Sequence, residues 1–293
     1  MYNNMEELIS SAEAKSVPLW KVILENECEI TEKSEDEIFE MLDTRYEVMY
    51  RSVHKALDEP QETVGNLVTG MSNKQHIYSQ KEDTICGKEL NYVMAMALSA
   101  SEVNAAMGKI CASPTAGSCG ILPAVLAGVA EKYHLSRKET LCGLLTASGI
   151  GTIVVKNATV SGAEGGCQAE CGVAAAMAAA AAVEMRGGSP RMAGHAMSIA
   201  LLNCMGLICD PIAGLVQLPC AQRNASQSLN AMLSADLALG GMESVVPADE
   251  VIEAMYKVGK KLPMEMKETA LGGIAATPTG KRIQEEIFGK SNS

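Results

Sequence analysis

Between residues 172 and 184 the chain carries eight alanines, in the run AAAMAAAAAV. A helix of such residues is weakly apolar on every side, so it belongs inside a protein and has no side chain long enough to hold a neighbour away. Whatever surrounds it must come close, and composition agrees: ten Cys and eighteen Met stand against two Phe and one Trp. The core is therefore expected to be built from small and soft side chains. With 47% apolar and 20% charged residues the chain is not a disordered one. At 293 residues it is long enough to bury most of its extended surface. No Ser/Gly-rich linker, acidic tail or internal repeat divides it, so one compact domain over residues 1–293, with many helices around the Ala-rich one, is the simplest account.

The apolar periodicity is helical nearly throughout. Ser34 with Glu37 forms a capping box, after which Ile38, Met41, Leu42, Tyr46, Met49, Val53, Ala56 and Leu57 recur at spacings of three and four until Pro60. Ser136 with Glu139 opens a second helix, expected to loosen at Gly149 and Gly151. Ser189-Pro190 and Pro247 mark two further starts, with proline expected in the first helical position, where its missing donor costs nothing. Residues 152–155 are the sole β-branched run, and no Asn-Gly or Asp-Gly turn occurs. The fold class expected is mainly α.

Net charge of −11 and the lack of a Lys/Arg-rich run exclude the electrostatic footprint of a nucleic-acid binder. The N-terminus MYNNMEELISSAEAK is acidic where a signal peptide is basic, so the expected location is the cytoplasm. Residues 110–130 carry no charge and are long enough to cross a bilayer, but Pro114, Pro123 and several small polar residues make a lipid-facing helix untenable, and no membrane is expected. In a reducing compartment ten cysteines read as small hydrophobes, metal ligands or nucleophiles before disulfides.

Three stretches do not read as core. They are 111–120 (CASPTAGSCG), 156–172 (KNATVSGAEGGCQAECG) and 206–224 (GLICDPIAGLVQLPCAQRN), where glycine stands beside Ser, Thr and Asn as in turns whose N–H groups converge on an anion. No C-x2-C pair exists, which removes the zinc-ribbon and bacterial ferredoxin signatures. Cys167 follows Gly165-Gly166, Cys209 precedes Asp210-Pro211 and Cys220 follows Pro219, so these three suit ligands presented by turns at helix ends. Cys28, Cys86, Cys111, Cys119, Cys142 and Cys204 read as packing, and Cys171 is ambiguous. His195, on an apolar helix, reads as a satisfied buried histidine.

The runs SPTAGSCGILPAVL, NATVSGAEGGCQAECGVAAAMAAAA and GLICDPIAGLVQLPCAQRNA closely resemble the α, or catalytic, subunits of iron–sulfur-dependent L-serine dehydratases (L-serine ammonia-lyases). The likeness is densest over residues 104–224. It implies an all-helical catalytic domain holding a [4Fe–4S] cluster on three cysteines, which match Cys167, Cys209 and Cys220, with one iron left open. An iron without a protein thiolate can act as a Lewis acid, making the hydroxyl of L-serine a better leaving group once a base removes the α-proton; the aminoacrylate released hydrolyses to pyruvate and ammonia. Ser113, Thr115, Gly117 and Ser118, with Lys156, Asn157 and Ser161, are the candidates for holding the substrate's carboxylate and ammonium. No catalytic base is assigned in this chain, and the resemblance leaves that role to the β subunit, so the isolated chain is expected to be weakly active or inactive.

The chain ends Lys290-Ser291-Asn292-Ser293, without the terminal cysteine that occupies the open iron in some members, so inhibition by such a tail is not expected. Two alternatives stay open: an L-cysteine desulfidase using the same cluster domain, and a non-catalytic helical iron–sulfur subunit in which Cys171 supplies a fourth thiolate. A pyridoxal-phosphate dehydratase is disfavoured, since no GGGG-type phosphate loop occurs.

Overall fold

The computed structural model describes residues 2–289. Its helices are α1 (Met5–Lys15), α2 (Leu19–Thr31), α3 (Glu35–Asp58), α4 (Met71–Ser79), α5 (Gly87–Ala105), α6 (Ile121–Tyr133), α7 (Arg137–Asn157), α8 (Gly162–Gly165), α9 (Val173–Met185), α10 (Pro190–Leu202), α11 (Cys220–Leu239), α12 (Ala248–Lys261) and α13 (Pro278–Phe288). Among the described residues no strand forms, and Cys209 and Lys267 make one isolated parallel bridge. The fold is all-helical, as expected.

The Ala-rich helix α9 is central. Every residue from Val173 to Val183 is buried, and α6, α7, α10 and α11 all pack on it. Side chains that end at Cβ put nothing long between α9 and the helices packed on it. Methionine fills what remains. Met177 of α9 lies where a Cβ on Gly151 of α7 would come within 2.9 Å of its Cε.

Helix α7 corrects one expectation. It runs unbroken through Gly149 and Gly151 to Asn157, taking in the β-branched run. Those glycines are places where neighbours press on the helix: a Cβ at Gly149 would lie 2.5 Å from Ile23 Cδ1 of α2. Helix α7 is long and apolar enough to cross a membrane, but it is mostly buried among its neighbours. Residues 110–130 are not one helix; they hold a loop, a 3-10 turn at Ala116–Ser118, and then α6.

Both capping boxes form, and Pro190 takes the first position of α10. Pro247 stands one place earlier than expected, as the cap of α12 itself. Cys119 and Cys204 are buried, and Cys28, Cys111 and Cys142 half-buried, but Cys86 is exposed at the cap of α5 and packs nothing. His195 is half-buried, its Nδ1 accepting the Ser244 N–H at 3.1 Å. The chain end 290–293, expected to lack an inhibitory cysteine, lies outside the described residues.

Several helix starts are satisfied by carboxylates from distant parts of the chain. Asp249 accepts the N–H groups of Met5 and Glu6 at 2.8 and 3.1 Å. Glu102, fully buried, accepts those of Gln61, Gly70 and Ser72 around the start of α4. Helix α2 begins after Pro18, which has no capping side chain, and Glu184 of α9 accepts from Leu19 N–H at 2.5 Å and Trp20 N–H at 3.2 Å. Burial raises the Glu184 carboxyl to about 7, against the opposing pull of those two N–H groups.

The sign of the resulting pH dependence is fixed. Below the unfolded value of 4.5 both states hold the proton; as pH rises toward 7 the unfolded chain ionises first, and folding loses stability, by about 3 kcal/mol in total. Glu184→Gln should remove that component, so chemical-denaturation midpoints of the variant should fall less than wild type between pH 4.5 and 7. Parallel profiles for the two proteins would contradict it.

Candidate functional site

The three low-charge stretches meet at one place. Residues 111–120 loop between α5 and α6; residues 156–172 leave α7, form α8 and then a π-turn at Gln168–Gly172 that leads into α9; residues 206–224 cross from α10 to α11. Side chains tie them together. Thr115 Oγ1 donates to Glu170 Oε1 at 2.8 Å. Asn224 donates from Nδ2 to the carbonyls of Gly117 and Cys220 at 2.7 and 2.8 Å, while its Oδ1 accepts the Gly120 N–H. The Gln168 N–H reaches Leu207 O at 3.0 Å.

Local backbone explains where each thiol stands. Gly166 has φ of +76°, and a Cβ there would come 2.8 Å from Leu207 O; the chain turns on that glycine and delivers Cys167 to the head of the π-turn. Cys209 is gripped on both sides by a strap, residues 263–273, whose Met266 carbonyl accepts the Cys209 N–H at 2.9 Å and whose Glu268 N–H donates to Cys209 O at 2.8 Å. Cys220 is the first residue of α11. All three cysteines are buried, and the charge of Cys167 is felt at both Cys209 and Cys220.

The electrostatics divide the thiols. Cys167 is held below the ordinary thiol value because the Cys171 thiol hydrogen-bonds to it and Arg223 lies alongside; Cys171 is raised by the same bond and by burial. Burial, with Glu170 and Cys167 nearby, pushes Cys209 far above the thiol range, and burial lifts Cys220 to about 12. Arg223 bonds Asp210 Oδ1 at 2.8 Å and Ile208 O at 2.8 Å, and the other Asp210 oxygen accepts the Ile274 N–H.

Thiols such as Cys209 and Cys220, which burial holds in the protonated form, are donors that a metal group satisfies by displacing those protons. Among the described residues no three His, Cys, Asp or Glu side chains stand close enough to hold a single metal ion. A polynuclear cluster is wider than an ion and takes thiolates that stand apart, and the buried thiols Cys167, Cys209 and Cys220 are the donor type it takes.

Glu170 is the residue that sequence reasoning missed. It is only 8% exposed, and besides Thr115 it approaches Cys209, with 3.7 Å between Sγ and Oε2. Gly162 leaves it room: a Cβ there would lie 2.4 Å from Oε2 and 3.2 Å from Cys209 Sγ. A signal existed, since Glu170 is the sole charge between Gly165 and Val183. Arg223, Asp210 and the strap were also missed, the strap because nothing in its composition marks it.

The sequence candidates divide. Thr115 and Gly117 face Glu170, and Ser161 caps α8, next to Gly162. Ser118 Oγ is spent on the Ser113 and Thr115 carbonyls, which fixes the loop. Ser113 Oγ is buried without a partner. Lys156 and Asn157 are not brought to the thiols; both side chains bond to Asn3.

Residues 14–275 match the family model described as serine dehydratase alpha chain. The chain is similar to the probable L-serine dehydratase alpha chain of Bacillus subtilis (strain 168), at 45% identity over 99% of this chain and 96% of that one. It is also similar to the L-serine dehydratase alpha chain of Peptoniphilus asaccharolyticus, at 48% identity over 98% and 99%. L-serine dehydratase 2 of Escherichia coli (strain K12) is 35% identical over 94% of this chain, which spans 61% of that longer protein.

Proposed function

The chain belongs to the serine dehydratase alpha-chain family, and from that premise we propose that it is the catalytic α subunit of an L-serine dehydratase, a lyase that eliminates water from L-serine to yield pyruvate and ammonia. The observation that carries this reading is the meeting of three loops on three buried thiols and one carboxylate. Cys167, Cys209 and Cys220 would hold a [4Fe–4S] cluster. When bound, an iron without a protein thiolate supplies a Lewis acid for the departing hydroxyl.

What the chain's own residues contribute is position and charge. Asp210 anchors Arg223 beside Cys167, so one cation stays in the enclosure whichever thiols are ionised. Asn224 clamps the 117–120 turn against the start of α11, which keeps Thr115 aimed at Glu170. The substrate's carboxylate is assigned to the turn carrying Ser113, Thr115, Gly117 and Ser118, with Ser161 on the facing loop. Lys156 and Asn157 enter only by tying the base of that facing loop to Asn3. The ten free thiols suit a reducing compartment, the cytoplasm.

The family's description as an alpha chain implies a partner subunit, here proposed to be a β subunit that supplies the base. Anaerobic reconstitution tests the reading directly. The chain should take up iron and sulfide as one cluster, and adding the partner should raise pyruvate release from L-serine by at least roughly tenfold. Unchanged turnover would refute the need for the partner. Sulfide release from L-cysteine outrunning pyruvate release from L-serine would instead make the chain a desulfidase.

A further inference from the structure

Glu170 is not among the residues proposed to hold a cluster, yet the site is arranged around it. Its carboxylate is enclosed by Thr115 from the 111–120 loop, Gly162 of α8 and Cys209 from the 206–224 segment, and a Cβ at Gly117 would stand 3.2 Å from Oε1. Two of its neighbours are glycines at which any side chain would crowd the carboxylate or fill the space beside it. A carboxylate needed only to support the fold, like Glu184, Glu102 or Asp249, accepts backbone N–H groups at a helix start. Glu170 accepts no backbone N–H; it takes one hydroxyl and one thiol.

Among the described residues no cation bonds to it, and Arg223 reaches it only through its charge. Arg223, the guanidinium of this enclosure, is bonded to Asp210 and Ile208 O, and Glu268 adds a second negative charge nearby. A buried carboxylate without a bonded countercharge is costly, and a charged hydrogen-bond donor from outside offsets that cost. L-Serine carries such a donor. Its α-ammonium is the one positive group of the substrate, and the three loops meet where its hydroxyl and carboxylate must also lie.

We propose that Glu170 binds the α-ammonium of the substrate amino acid and thereby selects α-amino acids over other β-hydroxy acids. This rests on the dehydratase reading above. Thr115, bonded to Oε1, is the positioning residue that holds the carboxylate in place. The other oxygen, Oε2, stands between Gly162 and Cys209 and accepts only the Cys209 thiol, whose proton a bound cluster would displace, so an ammonium taking that place keeps the substrate's β-carbon next to the proposed cluster.

The test compares two ligands on the assembled, cluster-loaded enzyme: L-serine, and 3-hydroxypropanoate, which has the same hydroxyl and carboxylate but no ammonium. Binding is read from the change each causes in the cluster's spectrum, independently of turnover. Glu170→Gln should weaken L-serine by roughly 10- to 100-fold, the worth of a charge-assisted hydrogen bond, and leave 3-hydroxypropanoate within about threefold. Iron and sulfide content should stay at the wild-type level, and Glu170→Asp, which keeps the charge, should recover part of the serine affinity.

Equal weakening of both ligands, or loss of iron from the Gln variant, would overturn the proposal and make Glu170 a support for Cys209. Undiminished serine affinity with turnover abolished would also overturn it, assigning proton transfer in place of ammonium binding. A wild-type enzyme that neither responds to serine nor consumes it would show instead that the dehydratase reading has failed.

Discussion

Cys209→Ser should leave the anaerobically purified chain with less than roughly a tenth of the wild-type iron and acid-labile sulfide, and Cys167→Ser and Cys220→Ser should do the same, because a cluster on three thiolates cannot survive on two. Cys171→Ser should keep most of both. The distinction is sharp because Cys167 and Cys171 share a hydrogen bond and are equally buried, so neither burial nor proximity separates them. What separates them is position. Cys167 heads the π-turn behind Gly166, while Cys171 lies a turn further on, donating to Cys167. Loss of iron from Cys171→Ser to the same extent would mean four-thiolate ligation, and with it the electron-carrier alternative.

The second large effect is on stability. Ala179→Leu should lower the thermal midpoint by roughly 5 °C, since Ala179 is fully buried in α9 with helices packed around it and the added carbons have nowhere to go. Overpacking typically costs about 1–3 kcal/mol, and this site should lie near the top of that range, because Ala179 is fully buried and four helices pack on α9. The matching change on the surface, Ala14→Leu in α1, should move the midpoint little. Similar shifts for the two variants would show that α9 is more loosely enclosed than its alanines imply.

Much of this arrangement can be read from the chain itself, and the reasons differ by element. The burial of α9 follows from residues that are apolar on all sides, and the capping boxes of α3 and α7 are local patterns that tertiary structure has no cause to overrule. The three thiols are marked by glycine and proline beside them. Long-range uses of common residues are not readable in this way. Glu184, Glu102 and Asp249 look like solvated charges in sequence, and only the fold shows each of them accepting the N–H groups at the start of a helix that lies far off along the chain.

The same limit explains Lys156 and Asn157. Their polar side chains stand in the right loop, but the partner they find is Asn3, more than 150 positions away. Gly149 and Gly151 misled in the opposite sense. In isolation a glycine weakens a helix by about 1 kcal/mol relative to alanine, whereas here it admits Ile23 and Met177 and the helix stays whole.

The strap over Cys209 bears on how such a protein is made. The cysteine's own peptide group is held by Met266 and Glu268, more than 50 residues downstream. A ribosome that has just released Cys220 into the folding chain has made all three thiols but none of the segment that fixes the middle one. Stable retention of the proposed cluster is therefore expected to wait for the last tenth of the polypeptide, and a nascent chain stalled before residue 263 should not hold the iron and sulfide it is offered.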